Sequence, residues 1–102
     1  MLTKDEVVRF LEDSGFVYAF TISDKPLTTP YIIAMLGNSQ NVTSDLKVLM
    51  PVDTWTLELY YRDDDDRIRL EQKLTDSLLW QRITSGVLIG QDDVLESVYE
   101  IS

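Results

Sequence analysis

The alternation of apolar and polar residues in the middle of the chain predicts a strand followed by a helix. Over residues 55–61, apolar side chains occupy every second position, with threonine, glutamate and tyrosine between them. This period of two, rich in aromatic residues and threonine, is typical of a strand with one buried face. Leucines then recur four residues apart at Leu70, Leu74 and Leu78, a spacing that a helix turns into one face. We expect this helix at about 65–80 and the rest of the chain packed around the pair.

A second helix is predicted at the beginning of the chain. Thr3 is a favourable N-cap residue, and Glu6 three positions later completes a capping box. Apolar residues at positions 7, 10 and 11 then form one face. Gly15 suits the left-handed conformation that often ends a helix. These signals predict a helix over about residues 3–14.

Four further segments have the composition of strands. They cover residues 16–22, 31–36, 81–90 and 94–101 and are separated by turn residues such as proline, glycine, serine and aspartate. The segment 31–36 is apolar at every position, which predicts a strand that is central in the sheet and covered on both faces. The segment 81–90 is compatible with a regular strand and with a strand that has a β-bulge at Gly86.

The order of these elements predicts an α+β fold. Helix, strands, helix and strands follow one another, and the strands are mostly neighbours along the chain. We expect a single, mainly antiparallel sheet of four to five strands with two helices packed on it. A chain of 102 residues forms one such domain.

Residues 38–53 do not show a clear period. A short strand, an extended hairpin arm and a long loop all remain open for this segment, and loops of this length are often functional. Its apolar residues would need a partner if exposed. As residues of an interaction surface we single out Asn38, Val42, Leu46, Lys47, Val48, Leu49 and Met50.

Composition makes several classes of function improbable. The net charge of −9 argues against binding to the phosphates of nucleic acid, which requires clustered lysine and arginine. The chain has neither histidine nor cysteine, which removes the commonest general base, nucleophilic thiol and soft metal ligand. No apolar run approaches the about 20 residues of a membrane helix, and the N-terminus lacks a signal-peptide pattern. We expect a non-enzymatic, cytoplasmic protein without catalytic residues, cofactor, metal or membrane contact.

Four consecutive aspartates, residues 63–66, precede the second helix. A calcium loop of the EF-hand type would need alternating ligands, a central glycine and a later glutamate, and this order is absent here. Aspartates at a helix N-terminus instead cap it and favour the positive end of its dipole. The flanking Arg62, Arg67 and Arg69 neutralise part of this charge. We assign Arg62, Asp63, Asp64 and Asp65 to a second interaction surface.

Trp80 is predicted at the end of the second helix, off the stripe of leucines. Its surplus apolar surface would then face a neighbouring subunit, because aromatic residues anchor many interfaces. A wider buried face of the helix explains the same residue equally well.

Several segments resemble one family in their order, spacing and total length. They are the helix that ends near Gly15, the strand with Tyr18, Pro30–Ile32, the strand 55–60 with its charged turn, the helical residues 70–74 and the closing strand 94–101. Together they resemble the small head–tail connector proteins of long-tailed bacteriophages. These are tail-terminator or tail-to-head joining proteins, also called minor capsid proteins.

The resemblance implies an α+β domain that assembles into a ring of six copies at the top of the tail tube. Its partners would be further copies of itself, the tail tube protein and a head completion or connector protein. DNA would pass through the ring without specific binding, and the protein would reside in the virion after assembly in the host cytoplasm. The family has no catalytic residues.

Two features of the chain depart from the family pattern. The turn after residues 58–60 usually mixes aspartate with lysine, whereas here Arg62 is followed only by acids. The turn at 90–93 is also less rich in glutamate and serine than expected.

The net charge of −9 supports an alternative function of another class, a small phage inhibitor that mimics nucleic acid and binds a host protein. The concentration of acids in one short turn counts against that alternative.

Overall fold

The computed structural model describes residues 2–20, 27–36, 54–90 and 93–102. These residues form two helices and five strands: α1 (Lys4–Ser14), β1 (Val17–Phe20), β2 (Tyr31–Leu36), β3 (Trp55–Tyr61), α2 (Asp64–Ser77), β4 (Trp80–Ile89) and β5 (Val94–Ile101). The strands join in one sheet in the order β1-β2-β3-β5-β4. Strands β1 and β2 are parallel, and the other three neighbouring pairs are antiparallel. The predicted α+β class with a mainly antiparallel sheet is confirmed.

The strand predicted from period-two alternation, β3, occupies the centre of the sheet. It pairs with β2 on one side and with β5 on the other. Its alternate residues from Trp55 to Tyr61 are all buried. In β2 the consecutive residues Ile32, Ile33 and Ala34 are buried, so both faces of this interior strand are covered, as expected. The middle of the five-stranded sheet is occupied by β3, with two strands on each side.

Both helices contribute to one hydrophobic core on one face of the sheet. Val7, Phe10 and Leu11 of α1 and Leu70 and Leu74 of α2 belong to a single buried cluster. The sheet contributes alternate residues that share a face through the register of the strands: Ile32, Ala34, Trp55, Leu57, Leu59, Tyr61, Tyr99 and Ile101. Removing a leucine-sized side chain from water contributes about 1.5–3 kcal/mol, so this cluster fixes the helices against the sheet.

The start and end of α1 follow its sequence signals. The Thr3 hydroxyl accepts a hydrogen bond from the Glu6 amide at 3.2 Å, and the Glu6 carboxylate accepts one from the Thr3 amide at 3.4 Å. Gly15 follows the helix with φ of 79°, the left-handed conformation that glycine adopts without a steric penalty. The predicted capping box and glycine end are confirmed.

Helix α2 ends three residues before the predicted position. Leu78 follows it in extended conformation, with φ of −139°, and its amide donates to the Leu74 carbonyl at 2.8 Å. Trp80 begins β4 and pairs with Ile101 of β5. Its predicted place at the end of the helix is therefore wrong. The leucine spacing remains compatible with a longer helix, but pairing with β5 requires an extended chain from residue 80.

Of the two alternatives for residues 81–90, the structure has the strand with a bulge at Gly86. This residue has φ of 69°, and the pairing of β4 with β5 shifts register twice between Arg82 and Val87. Beyond the bulge, Val87, Leu88 and Ile89 resume the pairing with β5.

Candidate interaction surfaces

The strand register defines two opposite ends of the sheet. Leu36, Trp55, Ile101 and Trp80 lie in one row across four strands, which we name the arm end. At the other extremity of β3, Tyr61 pairs with Leu95, which pairs with Leu88; we name this row the turn end. Strand β3 has seven residues, and a strand rises about 3.3 Å per residue. The two ends are therefore about 20 Å apart.

The two predicted interaction surfaces belong to opposite ends. The segment 38–53 follows Leu36 and precedes Trp55, so both of its attachment points are at the arm end. The turn 62–66 follows Tyr61 and is attached at the turn end. The predicted interface residues of the first segment lie outside the described residues: Asn38, Val42, Leu46, Lys47, Val48, Leu49 and Met50.

The aspartates of the turn have separate structural roles. Asp63 is the N-cap of α2, and its Oδ1 accepts a hydrogen bond from the Asp65 amide at 3.0 Å. Asp64 accepts two hydrogen bonds from the Arg67 guanidinium, at 2.7 and 3.0 Å. These bonds hold the pKa of the Asp64 carboxyl below its usual value. Asp66 contacts Arg69 at 3.5 Å. The interpretation of this turn as a helix cap is confirmed.

The charged residues at the beginning of the turn face solvent. Arg62, Asp63, Asp64 and Asp65 are all exposed. The Asp65 carboxylate makes no hydrogen bond or ion pair with any described residue. Among the described residues no group of three or more acidic side chains is arranged to hold a metal ion. The accessible charge of this turn therefore extends over residues 62–65.

Trp80 is only partly buried, and its ring packs within its own subunit. Its indole Nε1 donates to the Thr75 hydroxyl at 3.1 Å, and its ring meets Tyr99 edge to face at 5.6 Å. The neighbouring Leu79 is 76% exposed. The surplus apolar surface predicted near this position is therefore carried mainly by Leu79, at the arm end.

A carboxylate at the centre of α2 was not singled out by the sequence. Glu71 accepts hydrogen bonds from Arg67 at 3.0 Å, from the Tyr99 hydroxyl at 2.8 Å and from Arg82. Burial alone would raise the pKa of Glu71, but these three donors outweigh it and lower the pKa. The spacing from Arg67 to Glu71 is visible in the sequence as a helical i, i+4 pair. The contacts with Arg82 and Tyr99 depend on the packing of α2 over β4 and β5.

Strand β4 forms an apolar edge of the sheet that the sequence pattern did not predict. Its final residues Val87, Leu88 and Ile89 are 44%, 60% and 38% exposed. No residue from 83 to 90 carries a charge. This lack of charge does not by itself identify an edge strand in the sequence, because exposed edge strands usually carry lysine or another charge.

Two concave regions adjoin α2. One, of about 590 Å³, lies between α2 and the beginning of β4 and includes Ile68, Thr75, Trp80 and Arg82 in its lining. The other, of about 280 Å³, lies between the two helices and has charged residues of both signs in its wall. Its lining includes Glu6, Arg9, Asp13 and Lys73. Neither region brings together residues with an obvious catalytic arrangement.

Comparison of the chain with protein-family models, with curated proteins and with solved structures gives no match. Within the described residues, no helix is long and apolar enough to span a membrane.

Proposed function

We propose that this protein is a non-enzymatic structural component of a bacteriophage, located at the head–tail junction. It forms a hexameric ring that terminates the tail tube, joins the tail to the head, or does both. The observation that carries this proposal is the attachment of two candidate interaction surfaces at opposite ends of one sheet. The resemblance of the sequence to head–tail connector proteins supports the same role.

A junction protein must contact two different structures without deforming. Here the arm end and the turn end are linked by continuous strand pairing and by a single core. Because interiors are close-packed and resist compression, such a sheet holds the two surfaces at a fixed separation. The segment 38–53 and Leu79 would meet one neighbour, and Arg62 and Asp65 another.

The acidity of the chain suits a ring through which DNA passes. Six copies with a net charge of −9 each carry about −54 before screening. A negative inner surface repels phosphates and favours sliding of DNA over adhesion. The described ion pairs lie on α2 and between α2 and β4, so the arginines of these pairs are engaged within the subunit.

Electron microscopy of lysate from a phage that lacks this gene tests the proposal. Filled heads beside detached tails of irregular, excessive length would identify a terminator. Detached tails of normal length would identify a joining protein. Intact infectious particles would contradict the structural role. Salt-sensitive binding of the purified protein to a host nuclease or polymerase would then favour the inhibitor alternative.

A further inference from the structure

The cleft between α1 and α2 brings together one cation from each helix. Arg9 of α1 and Lys73 of α2 both line it, and its volume is about 280 Å³. Pockets that hold small molecules have volumes of about 300–1,000 Å³, so this cleft suits a ligand at the small end of that range. Because the two cations belong to different walls of one small cleft, a single ligand can contact both.

Neither cation has a partner within the part of the chain that the structure describes. Arg9 and Lys73 make no hydrogen bond, ion pair or ring contact there. The other arginines of α2 behave differently, since Arg67 and Arg69 each contact a carboxylate of their own helix. The chain has 18 acidic and 9 basic residues. Two cations without an acidic partner in one cleft of such an acidic chain are therefore available to bind an anion.

The glutamates that helical spacing places beside Arg9 are engaged elsewhere. Glu6 precedes Arg9 by three positions, and its carboxylate accepts hydrogen bonds from the amide and the hydroxyl of Thr3, at 3.4 and 3.2 Å. Glu12 follows Arg9 by three positions and accepts a hydrogen bond from the Tyr18 hydroxyl at 2.7 Å. Because both carboxylates are held by these donors, the Arg9 guanidinium keeps its own donors for a molecule in the cleft.

The charges of the cleft favour an anion with a single negative charge. Besides the two cations, its wall contains the acids Glu6 and Asp13. Glu6 lies in the first turn of α1, where the positive end of the helix dipole offsets its charge. The two cations then exceed the remaining acid by one charge. Apolar side chains complete the wall, namely those of Leu2, Phe10 and Leu78, so a carboxylate attached to an apolar group complements both features.

We propose that this cleft binds a carboxylate attached to a small apolar group. The carboxylate lies between Arg9 and Lys73, and the apolar group lies against Leu78. Hydrogen bonds between charged groups are stronger than those between neutral ones, and the guanidinium and the ammonium supply them here. The Ser77 hydroxyl also lines the cleft and can donate a further hydrogen bond. This binding site does not depend on the proposed function, because it uses neither the arm end nor the turn end.

Nuclear magnetic resonance titration of the full chain with benzoate tests the site. We expect the amide signals of residues that line the cleft to shift and to reach saturation. Benzamide has nearly the same shape without the charge, and it should bind at least about tenfold more weakly, since hydrogen bonds to a charged group contribute more. An acetylated dipeptide that ends in phenylalanine distinguishes two sources of the carboxylate. Tighter binding than benzoate would identify the C-terminus of another protein, and weaker binding a free small molecule.

Substitutions of the two cations test their role. Arg9→Gln and Lys73→Gln should each raise the dissociation constant of benzoate by at least about threefold, because each removes one charged donor that is partly accessible to water. Lys73→Arg retains the charge and should retain binding. Lys4→Gln is the matched control: Lys4 also belongs to α1, but its ammonium lies over the Phe20 ring and outside the cleft. Circular dichroism checks that each variant is folded.

Three results would overturn the proposal. The first is a titration in which the signals of the cleft do not saturate. The second is an equal affinity for benzamide and benzoate. The third is a loss of benzoate binding in Lys4→Gln as large as that in Arg9→Gln and Lys73→Gln, which would indicate a general effect of net charge.

Discussion

Glu71 joins helix α2 to the two strands at one side of the sheet through a single carboxylate. Its donors come from three elements: Arg67 of α2, Arg82 of β4 and Tyr99 of β5. Hydrogen bonds to a charged group contribute more than those between neutral groups. The residue therefore fixes the position of α2 over the outer strands in addition to the apolar contacts of Leu70 and Leu74.

Glu71→Gln should destabilise the protein by about 1–3 kcal/mol at neutral pH, because Arg67 and Arg82 lose a charged partner that is largely shielded from water. The pKa of Glu71 is lower in the folded than in the unfolded state. Its contribution to the free energy of unfolding is thus complete above the unfolded pKa and disappears as pH falls through the folded pKa. Urea unfolding at a series of pH values measures the difference between the two proteins.

Asp76→Asn provides the control for this measurement. Asp76 is exposed on the same helix and makes no hydrogen bond or ion pair with a described residue. Its variant should unfold at nearly the same urea concentration as the parent at every pH. If the free energy of unfolding of Glu71→Gln stayed below that of the parent by the same amount down to strongly acidic pH, the electrostatic explanation would be contradicted.

At the scale of an element, the first turn of α2 combines a structural cap with exposed charge. Asp63 satisfies an amide of the helix, and Asp64 forms a paired contact with Arg67. Asp65 is exposed to solvent. Although the four aspartates are equivalent by composition, their positions relative to the helix axis give them different functions.

Asp63→Ala should lower the free energy of unfolding by about 1 kcal/mol, because loss of the N-cap side chain leaves an amide of the first turn without its hydrogen-bond partner. Asp65→Ala should leave stability within about 0.5 kcal/mol of the parent, as for most surface substitutions. For a domain of this size, about 1 kcal/mol corresponds to a shift of about 4–8 °C in Tm. Thermal unfolding followed by circular dichroism distinguishes the two variants. Equal shifts for both would refute the assignment of the cap to Asp63.

At the scale of the whole molecule, the sheet separates two candidate surfaces by about 20 Å. The arm end includes the exposed Leu79, and the turn end includes the exposed Asp65. If the protein acts at a junction, each end meets a different neighbour. Disturbing one end should therefore affect one contact and preserve the other.

Phages that carry Leu79→Asp or Asp65→Lys should show distinct assembly defects. We expect one variant to impair control of tail length, and the other to give tails of normal length that fail to join heads, because the changes lie at opposite ends of the sheet. Electron microscopy of the two lysates makes the comparison, with circular dichroism of each purified protein as a check of folding. Identical defects would indicate a single shared contact and would contradict the separation of the two surfaces.

The local sequence determined most of the individual elements. The capping box of Thr3 and Glu6, the glycine at 15 and the alternation over 55–61 depend on residues that are close along the chain. Side-chain periodicity follows directly from backbone geometry, with 3.6 residues per turn in a helix and two per repeat in a strand. Helix α1, the central strand and the cap of α2 were therefore predictable without tertiary contacts.

The tertiary structure decided how those elements meet. The insertion of β5 between β3 and β4, the parallel pairing of β1 with β2 and the early end of α2 depend on partners distant in the chain. Periodicity shows which face of a strand is buried, but it does not specify the neighbouring strand or its direction. For the same reason the contacts of Glu71 with Arg82 and Tyr99, and the exposed edge of β4, became visible only in the folded molecule.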